Sequence, residues 1–439
     1  MSFFALCFLL CALCSEESRQ ICRACKKLRT RKYSHLVTLE TQLNLVWKTF
    51  PFSTEGLASR PLLFFPIPMS VLLSALAFFL LLTVLILFHE CGHFFAARKA
   101  GVIVEEFGFG LPPRAKTLFH QGGTRFSLNW IPFGGFVRLK GENALSEKER
   151  RSHGSFGRAS VLARIVILTA GVAMNFLFAI VIFTIGFSFA KWIPTYVEYK
   201  DMEAAAARGE IFMTPNVLIR DVVSGGAAAK VGVPAKSILA RINEEAITNP
   251  EQVATLQEGK RSVRYTVLTG EDFQEEKTFT ISLIDGKSGI SLQPFPRNVS
   301  SPDRSPVDAL ILSLREAKVM TVQTVIGMIT LFKSLATTGT VPEGITGIVG
   351  IAQLTHESVQ VGFMTYLRLV ALLSLSLAIL NILPLPALDG GRLLFVLVEV
   401  VLRRPANRRF ELTTNAVGFT FLLLLILLIT YHDILRLFL

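Results

Sequence analysis

Four long apolar stretches constrain the fold of this chain more than any other feature of its sequence. They cover residues 69–88, 165–190, 369–388 and 412–431, and none contains Asp, Glu, Lys or Arg. A helix needs about 20 such residues to cross the roughly 30 Å hydrocarbon layer of a bilayer. Because the chain is 51% hydrophobic and only 18% charged, buried helices of a soluble protein are the weaker alternative. The sequence predicts a polytopic α-helical membrane protein with about four transmembrane helices.

The distribution of Lys and Arg predicts how these spans are oriented. Residues 94–164 contain 12 Lys and Arg against 5 Asp and Glu, whereas residues 191–304 contain 14 against 15. Since cytoplasmic loops carry the excess of Lys and Arg, the first loop is predicted inside and the second outside. The link at 403–411 carries four arginines and is also predicted inside, so the first and third spans end at the same cytoplasmic face. No basic stretch alternates with aromatic residues, and a nucleic-acid partner is not expected.

The first 68 residues do not fit this topology. They hold 9 Lys and Arg against 4 acids, although the scheme places them outside. Two C-x-x-C pairs at Cys11, Cys14, Cys22 and Cys25 are spaced too closely for a typical zinc ribbon. We expect this segment to be an extension outside the working protein, with Met69 as the functional start.

Three candidate metal-binding or catalytic residues lie at the inner end of the first span. His89 and His93 are separated by four positions, so on a helix they project from one face and suit two ligands of a tetrahedral zinc. Glu90 is adjacent and suits the general-base role of H-E-x-x-H helices. A chance match is the alternative, but two histidines and a glutamate at membrane depth are costly without a shared function.

A catalytic zinc requires a third protein ligand, and Asp389 is the candidate. It follows the third span at the predicted cytoplasmic face, after Pro384 and Pro386 and before two glycines. The prolines interrupt helical hydrogen bonding and the glycines permit a tight turn. Considered alone, an Asp in this context is more often a turn or cap residue. The incomplete two-histidine site at the same face favours metal binding.

Together these motifs resemble the site-2 protease family of intramembrane zinc metalloproteases, and most closely its bacterial members of the regulator of sigma-E protease type. The shared features, in order along the chain, are the H-E-x-G-H motif at 89–93, Phe-Gly-Phe-Gly at 107–110, Gly-Gly-Phe-Val at 134–137, Ala-Gly-Val-Ala-Met-Asn-Phe at 170–176 and the block 381–391. The resemblance covers the chain from about Met69 to its last residue.

The resemblance implies specific roles. Zn²⁺ would be held by His89, His93 and Asp389, Glu90 would be catalytic, and Asn381 would bind the extended substrate backbone. The implied activity is hydrolysis of peptide bonds in transmembrane segments of single-pass proteins, such as anti-sigma factors or remnant signal peptides, in the bacterial inner membrane. Besides lipid and substrate, no small-molecule organic cofactor is expected. The alternative is a non-catalytic membrane protein that binds zinc for structure or relays ions.

Two regions between the spans have their own predicted structure. Residues 102–141 are rich in Gly, Phe and Val with alternating polarity, which predicts cytoplasmic-side β-hairpins; a surface loop is the alternative. Residues 216–285 are similar to a PDZ domain, whose groove accepts a strand. The usual Gly-Asp is replaced by Lys236 and Ser237, so a size filter for substrates is the alternative role.

These features divide the chain into nine segments: an extension at 1–68, transmembrane helix 1 with H-E-x-x-H at 69–93, a cytoplasmic-side membrane-associated β region at 94–164, helix 2 at 165–190, an extracytoplasmic region with the PDZ-like domain at 191–305, an amphipathic helical linker at 306–365, helix 3 with the Leu-Asp-Gly motif at 366–402, a basic cytoplasmic link at 403–411, and helix 4 at 412–439.

Overall fold

A computed structural model describes residues 68–438 apart from positions 143, 145, 271, 343, 405 and 406. The predicted extension, with its cysteine pairs and basic residues, lies outside the described residues except for Pro68. The expectation that the working chain begins at Met69 therefore stays a prediction.

Helices make up most of the described chain. They are α1 (Met69–Lys99), α2 (Glu147–Arg150), α3 (Val161–Phe189), α4 (Tyr199–Ala207), α5 (Ala227–Lys230), α6 (Pro250–Gln257), α7 (Pro306–Thr337), α8 (Ile348–Val361), α9 (Phe363–Ile382), α10 (Asp389–Leu402) and α11 (Arg408–Phe438). The strands are β1 (Val104–Gln121), β2 (Thr124–Leu139), β3 (Phe212–Val222), β4 (Ser237–Ile242), β5 (Glu245–Ala246), β6 (Ser262–Thr269), β7 (Glu275–Ser282) and β8 (Ile290–Ser300).

Five of the described helices are long and apolar enough to cross a membrane: α1, α3, α7, α9 and α11. Helices α1 and α11 contain the first and fourth predicted spans, α3 contains all but the last residue of the second, and α9 contains most of the third. The fifth, α7, was expected as an amphipathic linker. Its charged residues lie outside positions 319–332, which contain no Asp, Glu, Lys or Arg. By length and composition the described chain thus has one more candidate span than the sequence predicted, and it is a membrane protein.

The predicted third span is interrupted before its end. It was expected to run to residue 388, but α9 stops at Ile382 and α10 begins at Asp389. The reason is local: a residue before proline is pushed out of the helical region, and Leu383 before Pro384 is extended, with φ −63° and ψ 143°. The six residues between the two helices form the loop that presents Asp389.

The predicted β-hairpin region is confirmed as the antiparallel pair β1 and β2. The start of β1 pairs on both sides, because Phe107 faces both Val137 and Phe126. Residues 106–109 therefore lie between residues 125–128 and residues 135–138. In the described pairing, residues 135–139 have a strand neighbour on one side only, which makes them an edge of this small sheet.

The strands of the region between α3 and α7 form a separate antiparallel sheet. Its strand order is β7-β6-β4-β3-β8, with β5 paired to β4. The core contains five fully buried residues: Val217, Ile219, Leu239, Tyr265 and Ile281. Their burial follows from the alternation of side chains between the two faces of each strand. The module spans 212–300, wider than the predicted 216–285, and its likeness to a PDZ domain stays a prediction.

Helices α1, α3, α7 and α9 share one apolar core. Leu81 and Leu85 of α1 pack in a cluster with Phe183 of α3 and Leu375 of α9. Small residues bring α1 and α3 together beyond this core: a methyl group at Gly92 would overlap the carbonyl oxygen of Ala170. This close crossing places the H-E-x-x-H segment directly against α3.

Candidate metal centre

The last third of α1 presents His89, Glu90 and His93. One helical turn separates the two histidines, so both imidazoles project toward the same side, and their Nε2 atoms are 3.1 Å apart. Both residues are buried, His89 at 7% and His93 at 9% exposure. Nδ1 of His93 donates to the carbonyl oxygen of Ile167 at 2.8 Å. This bond leaves Nε2 of His93 with its lone pair available for a metal.

Asp389 reaches the histidines from the other end of the chain. Methyl groups at Gly390 and Gly391 would overlap carbonyl oxygens of Leu383 and Leu385, so only glycine allows the loop to fold back on the first turn of α10. Ala387 adopts a left-handed φ of 73°, which tightens the same loop. As a result Oδ2 of Asp389 lies 2.9 Å from Nε2 of His89 and 3.3 Å from Nε2 of His93.

The spacing of these three atoms is close to that of ligands around a tetrahedral zinc. Their separations are 2.9, 3.1 and 3.3 Å. Zinc bonds of about 2.0–2.1 Å at tetrahedral angles place neighbouring ligand atoms roughly 3.3 Å apart. Two imidazoles and one carboxylate are also a donor set found at catalytic zinc sites. Among the described residues this is the one group of three or more His, Cys, Asp or Glu side chains positioned to hold a metal.

Glu90 lies beside this cluster and beneath the edge of the hairpin sheet. The backbone N–H of Val137 donates a hydrogen bond to the carboxylate of Glu90. A Cβ at Gly135 would lie 3.7 Å from Cγ of Glu90, so the edge strand is in contact with the glutamate. The edge at 135–139 and Glu90 therefore face the same space.

That space is a cavity of about 330 Å³. It is lined by His89, Glu90, His93, Asp389, Arg392 and Glu142, together with Phe136, Val137, Arg138, Leu139, Ile167, Leu168 and Ala387. Arg392 donates to the carboxylate of Glu142, which joins α10 to the segment after the hairpin. The cavity thus contains the three ligand candidates, a potential general base and one side of a strand edge.

The hairpin that covers the site is itself held by a buried carboxylate. Glu106 is 2% exposed and accepts hydrogen bonds from Arg114 at 2.9 Å and Ser127 at 2.8 Å. Burial acts to raise its pKa, but these bonds and the charges of Arg114 and Arg138 hold the pKa of Glu106 below its usual value. Ser127 and Arg138 belong to β2, so their contacts with Glu106 hold β1 against β2.

Asn381 is less directly placed than the other predicted site residues. It lies in the last turn of α9, is half-buried and is not among the residues that line the cavity. Its predicted contact with substrate backbone stays a prediction.

The contact of Gly171 with the site was not predicted from the sequence. A methyl group there would overlap Nε2 of His93 and lie 2.8 Å from Cε1 of His89. The only sequence signal was its place in the motif at 170–176, because a contact between residues about eighty positions apart leaves no local pattern. Arg392 and Glu142 were also missed for this reason.

The sequence matches known proteins over a region that includes both His89 and Asp389. The sequence profile of peptidase family M50 matches residues 77–425. A candidate zinc metalloprotease of Clostridium perfringens is 28% identical over 369 residues, which cover 83% of this chain and 98% of the relative. A second one, from Fusobacterium nucleatum, is 27% identical over 359 residues, covering 82% and 97%. The zinc metalloprotease RasP of Bacillus licheniformis is 25% identical over 453 residues, covering 83% and 100%.

Proposed function

Since the chain belongs to peptidase family M50 and is a zinc metalloprotease, we propose that it cleaves peptide bonds within the transmembrane segments of single-pass membrane proteins. The family is the one that the resemblance to site-2 proteases predicted. His89, His93 and Asp389 hold the zinc, and Glu90 is the general base. The observation that carries this assignment is the convergence of three ligand atoms from α1 and α10 at zinc-like spacing, with Glu90 in the same cavity.

The chemistry divides between the metal and the side chains of this protein. When bound, zinc supplies Lewis acidity that polarises the scissile carbonyl and makes a water molecule easier to deprotonate. Glu90 takes the proton from this water, and the resulting hydroxide attacks the carbonyl carbon. Glu90 then returns the proton to the leaving nitrogen as the C–N bond breaks. One water molecule is consumed, and a new carboxylate and a new amine are the products.

Cleavage inside a membrane requires that the substrate helix unwinds. Unwinding releases backbone N–H and C=O groups that find no water in the hydrocarbon layer. Residues 136–139 of the sheet edge line the cavity, which supports pairing of this edge with an extended substrate strand by β-augmentation. Asn381, in the last turn of α9, is proposed as a further contact for the substrate backbone.

We place the active site toward the cytoplasmic face of a bacterial inner membrane, with the module at 212–300 outside. The distribution of Lys and Arg supports this orientation. Single-cysteine reporters at the exposed positions Lys148 and Lys260, in a chain whose other cysteines are replaced, should react with impermeant maleimide from opposite sides. Labelling of both from one side would contradict the topology.

The substrate class is tested with a tagged single-pass protein reconstituted with the enzyme in vesicles. Product masses should locate the cut within the apolar segment, and Glu90→Gln should lower the rate by about 10²-fold or more, since a general base contributes about 10²–10⁴-fold. Cleavage confined to the soluble flanks, or equal cleavage by both proteins, would overturn the proposal.

A further inference from the structure

Two buried polar groups near the metal centre lack hydrogen-bond partners. Within the described part of the chain, Nδ1 of His89 and both polar side-chain atoms of Asn175 are buried and unpaired. Asn175 is 0% exposed. A buried carboxamide without a hydrogen-bond partner destabilises the fold, so its presence in the middle of α3 requires a reason.

The packing of α1 on α3 places these groups at the same level. Gly171 lies against the ring of His89, and the rings of Phe88 and Phe178 stack with centroids 3.9 Å apart. These two contacts bracket Asn175, which is one helical turn beyond Gly171 and therefore on the same face of α3. The carboxamide of Asn175 thus belongs to the helix face that packs against His89.

Neighbouring polar groups at this level already have partners. Nδ1 of His93 donates to the carbonyl oxygen of Ile167. The hydroxyl of Ser374 donates to the backbone carbonyl of Asn175 at 2.9 Å, which leaves the side chain of Asn175 unused. His89 and Asn175 are therefore the two complementary groups that remain.

We infer that Asn175 is a positioning residue for the metal centre, whose Oδ1 accepts a hydrogen bond from Nδ1–H of His89 after a side-chain rotation. This inference rests on the proposed role of His89 as a zinc ligand. A histidine that binds metal through one nitrogen almost always donates its other N–H to an acceptor, which fixes the tautomer and the ring orientation. His93 has such an acceptor in Ile167, and Asn175 supplies the missing one for His89.

Zinc affinity of the full-length protein, measured by competition with a chelator, tests this role without relying on activity. Asn175→Leu keeps a similar volume but removes the acceptor, and it should weaken zinc binding about 10- to 100-fold. Asn175→Asp retains an acceptor oxygen and should bind zinc at least as tightly as the parent. Ser374→Ala is the matched control, because it removes a polar group from the same layer and should leave the affinity unchanged.

A second measurement guards against a variant that misfolds. In the zinc-loaded parent with ¹⁵N-labelled histidine, the Nδ1 proton of His89 should exchange slowly with solvent, and its exchange should accelerate in Asn175→Leu. Parent-like affinity of Asn175→Leu, or rapid exchange in the parent, would overturn the role of Asn175. Such results leave the protease proposal intact if Glu90→Gln still abolishes cleavage, whereas a parent that binds no zinc would overturn both.

Discussion

Gly171 shows how a single residue without a side chain limits the metal centre. Its Cα lies against both imidazoles, and a methyl group at this position would overlap Nε2 of His93. The opposing residue on α1, Gly92, meets the backbone of Ala170 in the same way. The two glycines therefore allow α1 and α3 to approach closely enough for both histidines to face Asp389.

Gly171→Ala should displace at least one imidazole and lower both zinc affinity and cleavage. A displacement of about 1 Å from the productive geometry lowers the catalytic rate on the order of 10²-fold. Gly327→Ala in α7 is the matched control, because a methyl group there meets nothing within 4 Å. Zinc affinity and cleavage rate measured on both variants check this prediction, and parent-like zinc binding by Gly171→Ala would contradict it.

The buried Tyr265 should make the stability of the module at 212–300 depend on alkaline pH. Burial raises the pKa of Tyr265 to about 12, and its hydroxyl accepts a hydrogen bond from Gln257. A tyrosine in an unfolded chain ionises near pH 10. The stabilisation is therefore complete below pH 10 and is lost as the pH rises through 12, by about 1.4 kcal/mol per pH unit.

Absorbance of tyrosinate during an alkaline titration measures this shift. One of the six tyrosines should ionise near pH 12, and this late step should be absent from Tyr265→Phe. A parent in which every tyrosine ionises near pH 10 would contradict the prediction.

At the scale of elements, α10 carries Asp389 and is anchored by a second carboxylate. Glu399 accepts from Arg164 of α3 at 2.6 Å and from Arg150 of α2 at 3.1 Å. The side chains of Glu399 and Arg164 are each 11% exposed. Because these charges are largely removed from water, the pairs fix α10 against α3 close to the metal centre.

Glu399→Ala should leave two arginines without this partner and lower the free energy of unfolding by on the order of 3 kcal/mol. Thermal unfolding in detergent measures the loss, and zinc affinity should fall with it because α10 positions Asp389. The exposed Glu147, whose bond to Arg151 joins side chains that are 61% and 74% exposed, is the control. Glu147→Ala should change stability by less than about 1 kcal/mol, and equal effects of the two substitutions would contradict the anchoring role.

The elements also show what sequence patterns can predict. The first and fourth apolar stretches lie within long helices, the second does so except for its last residue and the third as far as Ile382, because membrane spans depend on local composition. The Gly- and Phe-rich hairpin was recognised from its alternation. The break between α9 and α10 was missed as a boundary, although Pro384 and Pro386 signalled it. The contacts of Gly171, Asn175 and Arg392 depend on how distant helices pack, which no local pattern encodes.

At the scale of the whole molecule, the site unites residues 300 positions apart in the chain. His89 and Asp389 lie at opposite ends of the region matched by family M50, yet their side-chain atoms approach to 2.9 Å. The helical core formed by α1, α3, α7 and α9 brings these ends together. The hairpin sheet covers the resulting cavity, so ligand positioning and substrate access depend on different parts of the fold.

The most direct test of this account measures zinc content and cleavage together in the parent, Glu90→Gln and Asp389→Ala. The account predicts about one zinc per chain in the parent and in Glu90→Gln, with cleavage by the parent alone, because a single catalytic zinc needs three protein ligands and a separate base. Asp389→Ala should lose both zinc and cleavage. Full zinc content in Asp389→Ala, or cleavage by Glu90→Gln at the parent rate, would contradict the proposed centre.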